Sequence, residues 1–179
     1  VRKIAITGPE STGKSRLCEE LAMHYGDVCV PEYARRYIDR LDRPYVQEDI
    51  LAIARGQLRR EREAARRARR ILFCDTELIV TKIWSLHKYG RCDPFILEQI
   101  PANRYDLFLL CQTDLPWEED RQREHPHLRD YFFDWYRREL QEYGFPYVVI
   151  HGKESQRLSA AIEAIDQAFP SVWAGCPGG

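Results

Sequence analysis

The sequence predicts a three-layer α/β fold in which five parallel strands carry helices on both faces. Three observations lead there. Five short apolar runs, at 4–6, 28–30, 71–75, 105–111 and 146–150, each precede a stretch with helical spacing, the alternation that builds a parallel sheet. The first run opens into Gly8-Pro9-Glu10-Ser11-Thr12-Gly13-Lys14-Ser15, a complete G-x-x-x-x-G-K-[ST] loop in the strand–loop–helix setting that gives the motif its meaning. The third run ends in an acid, Asp75, as a Walker-B strand does. The expected fold is that of a P-loop NTPase.

The loop glycines let successive N–H groups turn inward onto phosphate oxygens, and the helix that follows, from about Lys14 to Tyr25, adds the positive end of its dipole. Lys14 is expected on the β- and γ-phosphates of ATP and Ser15 on Mg2+, with Gly8, Glu10, Ser11, Thr12, Gly13 and Arg16 completing the nucleotide site. The second run ends at Pro31-Glu32, and Glu32 heads the next helix on the sheet edge where open α/β folds bind ligands. The alternative is that Glu32 only complements the dipole of that helix.

Residues from Gln47 to Arg70 read as one long helix, charged almost all round from Arg59 onward, which predicts a solvated surface. Gln57 and Glu61 lie four apart and share a face that could present a polar pair to a site. Asp75 is expected to hold Mg2+ directly or through water. The helix after it, from about Leu78 to Tyr89, carries Trp84 and stops at Gly90. Between the fourth and fifth strands, Asp114 to Pro126 is polar, bracketed by prolines and supplied with Arg121 and Arg123, as suits a lid that closes on phosphates. Arg129 opens a helix spanning about 128–143, whose Tyr131, Phe132, Trp135 and Leu140 read as core. The last helix spans about 155–169, with Lys153 and Arg157 as candidates near the nucleotide base. Residues 1–170 are expected to form one domain, and 171–179 a flexible tail.

The chain of 179 residues is 44% hydrophobic and 31% charged with a net charge of −1, which supports neither a nucleic-acid nor a membrane partner. Its six cysteines form no C-x-x-C pair and read as reduced thiols of a cytoplasmic protein. No signal peptide precedes the first strand, and the chain opens on Val1 rather than Met, as a trimmed or excised part of a longer protein would.

A P-loop alone does not separate a kinase from a motor, a switch GTPase or a regulatory ATPase. The short chain, the absence of an N-K-x-D guanine signature, acids at two neighbouring strand ends and an arginine-bearing lid favour a small-molecule kinase. Asp75 is expected nearer the metal and acceptor ribose, and Glu32 as acceptor-side base or ribose ligand, with the base role open between them. A kinase of another nucleoside or small metabolite, and a regulatory P-loop ATPase, are the competing readings. The oligomeric state is open.

The combination of Gly8 to Ser15, Pro31-Glu32-Tyr33-Ala34-Arg35, Gly56-Gln57, Phe73-Cys74-Asp75-Thr76, Trp117-Glu118-Glu119-Asp120 and Arg123 resembles the ribosylnicotinamide kinase domain of NadR-type NAD-biosynthesis proteins, from first strand to last helix. The resemblance implies transfer of the ATP γ-phosphate to the 5′-hydroxyl of nicotinamide riboside, giving nicotinamide mononucleotide. It implies a lid around Trp117 to Arg129 with Arg123 and Arg129 as lid arginines, and Arg157 near the nucleotide. The acceptor-side candidates are Glu32, Tyr33, Arg35, Gln57, Glu61, Asp75, Thr76 and Trp84. A cationic pyridinium ring calls for an aromatic face and a nearby acid, and Tyr33, Tyr37, Trp84 and Tyr89 are available. Many members carry a nucleotidylyltransferase domain before the kinase, and some a DNA-binding domain; neither is in this sequence, so those activities are not carried over.

Overall fold

The strands Arg2–Thr7 (β1), Val28–Val30 (β2), Ile71–Asp75 (β3), Leu107–Cys111 (β4) and Tyr147–Ile150 (β5) form one parallel sheet, ordered β2-β3-β1-β4-β5, in a computed structural model that describes residues 1–170. Register sets Ile6 of β1 against Asp75 on one side and Leu109 on the other. The loop after β1 and the acid ending β3 therefore leave the sheet side by side.

Alternation along the strands serves two helical layers. Ile4, Ile6, Phe73 and Leu109 pack beneath Lys14–Tyr25 (α1) and Ser155–Ala168 (α7). Ala5, Leu72, Phe108 and Leu110 face Gln47–Ala65 (α3), Leu78–Tyr89 (α4), Pro94–Ala102 (α5) and Arg129–Glu142 (α6). The short helix Tyr33–Asp39 (α2) lies on α3, where Gly56 makes room: a Cβ there would stand 2.0 Å from Tyr33 Cε1. No helix among the described residues is long and apolar enough to cross a membrane.

The elements differ from expectation in four places. Helix α3 stops at Ala65 rather than Arg70, because the Asp27 carboxylate captures the amides of Arg69, Arg70 and Ile71 at 3.0, 2.8 and 3.0 Å and turns the chain into β3. The charged half of that helix is not solvated all round, since Glu61 is only 2% exposed. Helix α5 has no counterpart in the expected elements, although Asp93 caps it through the Phe95 amide at 2.8 Å and Pro94 occupies its first turn. In α6, Leu140 is core as expected, whereas Tyr131 is 49% exposed. The expected tail, 171–179, lies outside the described residues. Cys18, Cys29, Cys74, Cys92 and Cys111 are free thiols.

Candidate active site

The carboxyl ends of β1 and β3 open on a cleft of about 800 Å3. Gly8 has φ 133°, and a Cβ there would meet the Cys111 carbonyl oxygen at 2.9 Å, so this turn admits only glycine. The loop is held from within, with Thr12 Oγ1 and Lys14 Nζ both donating to the Pro9 carbonyl, at 2.8 and 2.7 Å. Two distant arginines brace it from behind. Arg157, 4% exposed, donates to the carbonyls of Thr12 (2.6 Å), Gln112 (3.1 Å) and Gly152 (3.2 Å) and pairs with Asp114. Arg129 donates to the carbonyls of Ser11 (3.1 Å) and Leu115 (2.8 Å).

At the floor, Ser15 Oγ donates to Asp75 Oδ2 at 2.5 Å. Asp75 Oδ1 is buried and has no hydrogen-bond partner among the described residues. Burial pushes the Asp75 carboxyl up to about 6 and the Glu32 charge pushes the same way, while the Ser15 bond and the Lys14 charge pull it back. A buried carboxylate oxygen left uncommitted beside a hydroxyl fits a hard divalent cation.

Thr76 follows with φ 66°, an uncommon conformation for a β-branched residue, fixed by its amide donating to the Ile6 carbonyl at 3.0 Å. Glu77 then caps α4, accepting from the Ile79 amide at 2.5 Å and from Thr7 Oγ1 at 2.8 Å. Burial pushes its carboxyl up to about 7 despite both bonds. Glu32, at the start of α2, lines the cleft, and its carboxylate accepts no hydrogen bond from the described residues.

The far wall is aromatic. Val80, Ile83, Trp84 and His87 follow the i, i+3, i+4, i+7 face of α4, and Phe132 and Tyr136 stand i, i+4 on α6. Trp84 Nε1 and Lys88 Nζ donate to Tyr45 Oη at 2.9 and 2.6 Å, and Tyr45 donates to the Glu124 carboxylate at 2.9 Å. Glu124 belongs to the loop between β4 and α6, which covers the cleft as a lid. That loop rests on α2 through Arg35–Asp120 (2.8 Å) and Arg121–Asp39, and on the P-loop through the Glu118 amide to Ser11 Oγ (2.9 Å). Arg123 lines the cleft and donates to the Glu118 carbonyl at 2.5 Å.

The AAA domain family matches residues 3–157 of this sequence. The chain belongs to that family. It is also similar to the trifunctional NAD biosynthesis/regulator protein NadR of Salmonella typhimurium, at 32% identity over an alignment of 126 residues, with 67% of this chain and 30% of that protein covered. NadR of Escherichia coli matches with the same figures, so this chain spans less than a third of the length of these relatives. Among solved structures, a NadR protein in complex with NR superimposes with a TM-score of 0.81 at 24% identity, covering 93% of this chain and 51% of that one. A deoxyadenosine kinase from M. mycoides gives 0.63 at 16% identity, covering 92% and 99%. These structures share the P-loop kinase fold expected from the sequence.

Within this family member, loop residues Gly8 to Arg16, Glu32, Arg35, Thr76, Trp84, Arg123 and Arg157 line the cleft, with Asp75 beneath Ser15. Arg16 sits at the rim, paired with Glu20 at 2.8 Å. Three expected acceptor residues stand elsewhere. The Tyr33 amide donates to Gln57 Oε1 at 3.1 Å while its ring lies over Gly56. Gln57 turns inward to Glu61 at 3.3 Å, and Glu61 binds Lys3 (2.6 Å), the Tyr105 hydroxyl (2.8 Å) and Asn103 Nδ2 (3.0 Å) below the opposite end of β1. Gln57 and Glu61 do share a face, but it meets a buried polar chain rather than the cleft. Phe132, read as core, does belong to the buried core, and it also lines the cleft with Tyr45, His87 and Tyr136. The periodicity of α4 carried part of that wall in the sequence; Tyr45 and His125 carried no such signal.

Proposed function

We propose that this chain is an ATP- and Mg2+-dependent kinase that transfers the γ-phosphate to the 5′-hydroxyl of nicotinamide riboside, giving nicotinamide mononucleotide. The observation that carries the reading is the meeting of the Lys14–Ser15–Asp75 corner, an uncommitted acid at Glu32 and an aromatic wall running from Tyr45 to Trp84 in one cleft. Such a wall with a carboxylate nearby suits a cationic pyridinium ring. Similarity to NadR, one of whose structures is described in complex with NR, supports the same acceptor.

Lys14 would hold the β- and γ-phosphates. Ser15 and Asp75 would hold Mg2+, which when bound neutralises charge on the phosphates. Because Asp75 is already engaged by Ser15 and Glu32 is not, Glu32 is assigned as the base that takes the proton of the acceptor hydroxyl. Arg123 would meet the charge that develops on the transferring group, and the lid would exclude water as the competing acceptor. Arg129 and Arg157 serve the donor site by shaping the loop, since their guanidinium groups are engaged with backbone carbonyls.

The test is acceptor-dependent ADP release by the purified protein with ATP, Mg2+ and a panel of nucleosides. Nicotinamide riboside is expected to be the best acceptor, and Lys14→Ala to abolish release. Preference for a deoxynucleoside or a nucleotide would assign a different acceptor. ADP release independent of any acceptor would instead make the chain a regulatory ATPase.

A further inference from the structure

We propose that Glu10, inside the P-loop, is a positioning residue that transmits donor binding to the acceptor wall by clamping the lid; the inference rests on the two-substrate reading above. A carboxylate in a triphosphate-binding loop is out of place if it faces the phosphates, because like charges repel. Here it faces the lid. The Glu10 carboxylate accepts from two successive lid amides, Glu124 at 3.3 Å and His125 at 3.1 Å. Two N–H groups converging on one ionised acceptor form a charge-assisted, directional contact. The next residue repeats the tie, since Ser11 Oγ accepts from the Glu118 amide at 2.9 Å. Ser11 itself has φ 57°, so the loop bends sharply between the clamp and the phosphate cradle.

The two clamped residues both reach the acceptor end. Glu124 receives the Tyr45 hydroxyl, which also binds Trp84 and Lys88. The His125 ring stands 5.0 Å from that of His87 and 5.3 Å from that of Phe132, both of which line the cleft. A bound triphosphate orders the loop backbone, the ordered loop presents Glu10 at a fixed place, and the lid segment that completes the aromatic wall docks on it. Ordering paid for by the first substrate is then not charged to the second, which couples the two sites favourably. Reciprocity requires the acceptor to tighten donor binding by the same factor.

The experiment measures nicotinamide riboside affinity by calorimetry with and without AMP-PNP, for the parent protein, Glu10→Ala and Glu10→Gln. In parallel, amide hydrogen exchange is followed across residues 118–125 with and without AMP-PNP. In the parent, AMP-PNP is expected to tighten the acceptor by about five- to a hundredfold and to slow exchange at Glu124 and His125. Glu10→Ala is expected to bring the ratio to within about twofold of one and to remove the slowing, and Glu10→Gln, which keeps an acceptor oxygen without the charge, to fall between. Equal tightening or equal slowing in parent and Glu10→Ala overturns the proposal. So does loss of AMP-PNP binding itself in Glu10→Ala, which would make Glu10 a donor ligand. If nicotinamide riboside binds no form, the substrate assignment fails while the exchange comparison still decides the clamp.

Discussion

Ser15 Oγ lies 2.5 Å from Asp75 Oδ2, tying the first turn of the P-loop helix to the end of the neighbouring strand and leaving Asp75 Oδ1 without a hydrogen-bond partner among the described residues. That spare oxygen separates a metal role from a packing role. Asp75→Asn preserves the size of the side chain and an acceptor for Ser15 but removes the charge. Acceptor-dependent ADP release is expected to fall by at least about a hundredfold at saturating ATP, with partial recovery at high Mg2+. The variant is expected to unfold no more readily than the parent at pH 8, because the charge it removes is one that burial disfavours. Titrating activity against Mg2+, alongside thermal melts, checks both halves.

Glu77 predicts a pH dependence of stability. Its carboxyl is pushed up to about 7 in the folded chain, above the ordinary value of 4.5 expected once unfolded. Between those values the folded state binds the proton more tightly, so stability is fullest below the unfolded value and declines as pH rises through the folded one. Each unit by which a pKa differs between folded and unfolded chains is worth about 1.4 kcal/mol. Metal-free Asp75 adds a decline of the same sign, so the informative quantity is the difference between the parent and Glu77→Gln. Urea midpoints from pH 5 to 8 should fall less steeply in the variant; parallel lines would remove Glu77 as the source.

The P-loop side of the candidate site was legible because its residues are local in sequence. Gly8 to Gly13 form one loop that runs straight into Lys14 and Ser15 at the start of α1, and Asp75 ends a strand whose apolar run is unmistakable. The aromatic wall, proposed as the acceptor side, is assembled from separate elements. Trp84 could be found on the periodic face of α4, but Tyr45 reaches the wall from a loop and His125 from the lid, and only tertiary packing brings them there. The place of Glu61, away from the cleft, was illegible for a related reason. Spacing showed that it shares a face with Gln57, but not that the face looks down on Lys3 and Tyr105 instead of up into the cleft. Charge also misled at Arg66 to Arg70, where helix propensity is overridden by three backbone amides collected on Asp27.

Glu61 anchors a buried polar network whose contribution to stability is measurable. Both carboxylate oxygens are engaged in a network that includes Lys3 at 2.6 Å and a tyrosine hydroxyl at 2.8 Å, with Glu61 2% exposed. Glu61→Ala leaves the Lys3 ammonium partly buried without its counter-charge and is expected to cost about 3–5 kcal/mol. Pairing it with Lys3→Met, which removes the stranded charge, should recover part of that loss. Urea denaturation of the two single variants and the double variant measures the coupling, and a cost below about 1 kcal/mol for Glu61→Ala would show that the network contributes little.

Trp84 tests the proposed acceptor wall directly. Its indole N–H is engaged by Tyr45 Oη at 2.9 Å, which fixes the ring while leaving it on the cleft surface. A cationic ring held against that indole gains roughly 0.5–2 kcal/mol over a neutral ring of the same shape, so Trp84→Leu should raise the KM for nicotinamide riboside about tenfold. The KM for ATP should move much less, because the P-loop lies across the cleft. The reduced, uncharged form of the same nucleoside separates attraction for charge from simple packing. The parent should prefer the oxidised form, and Trp84→Leu should narrow that preference while Trp84→Phe largely keeps it. An unchanged preference in Trp84→Leu would mean that the pyridinium charge is read elsewhere, with the Glu32 carboxylate as the next group to vary.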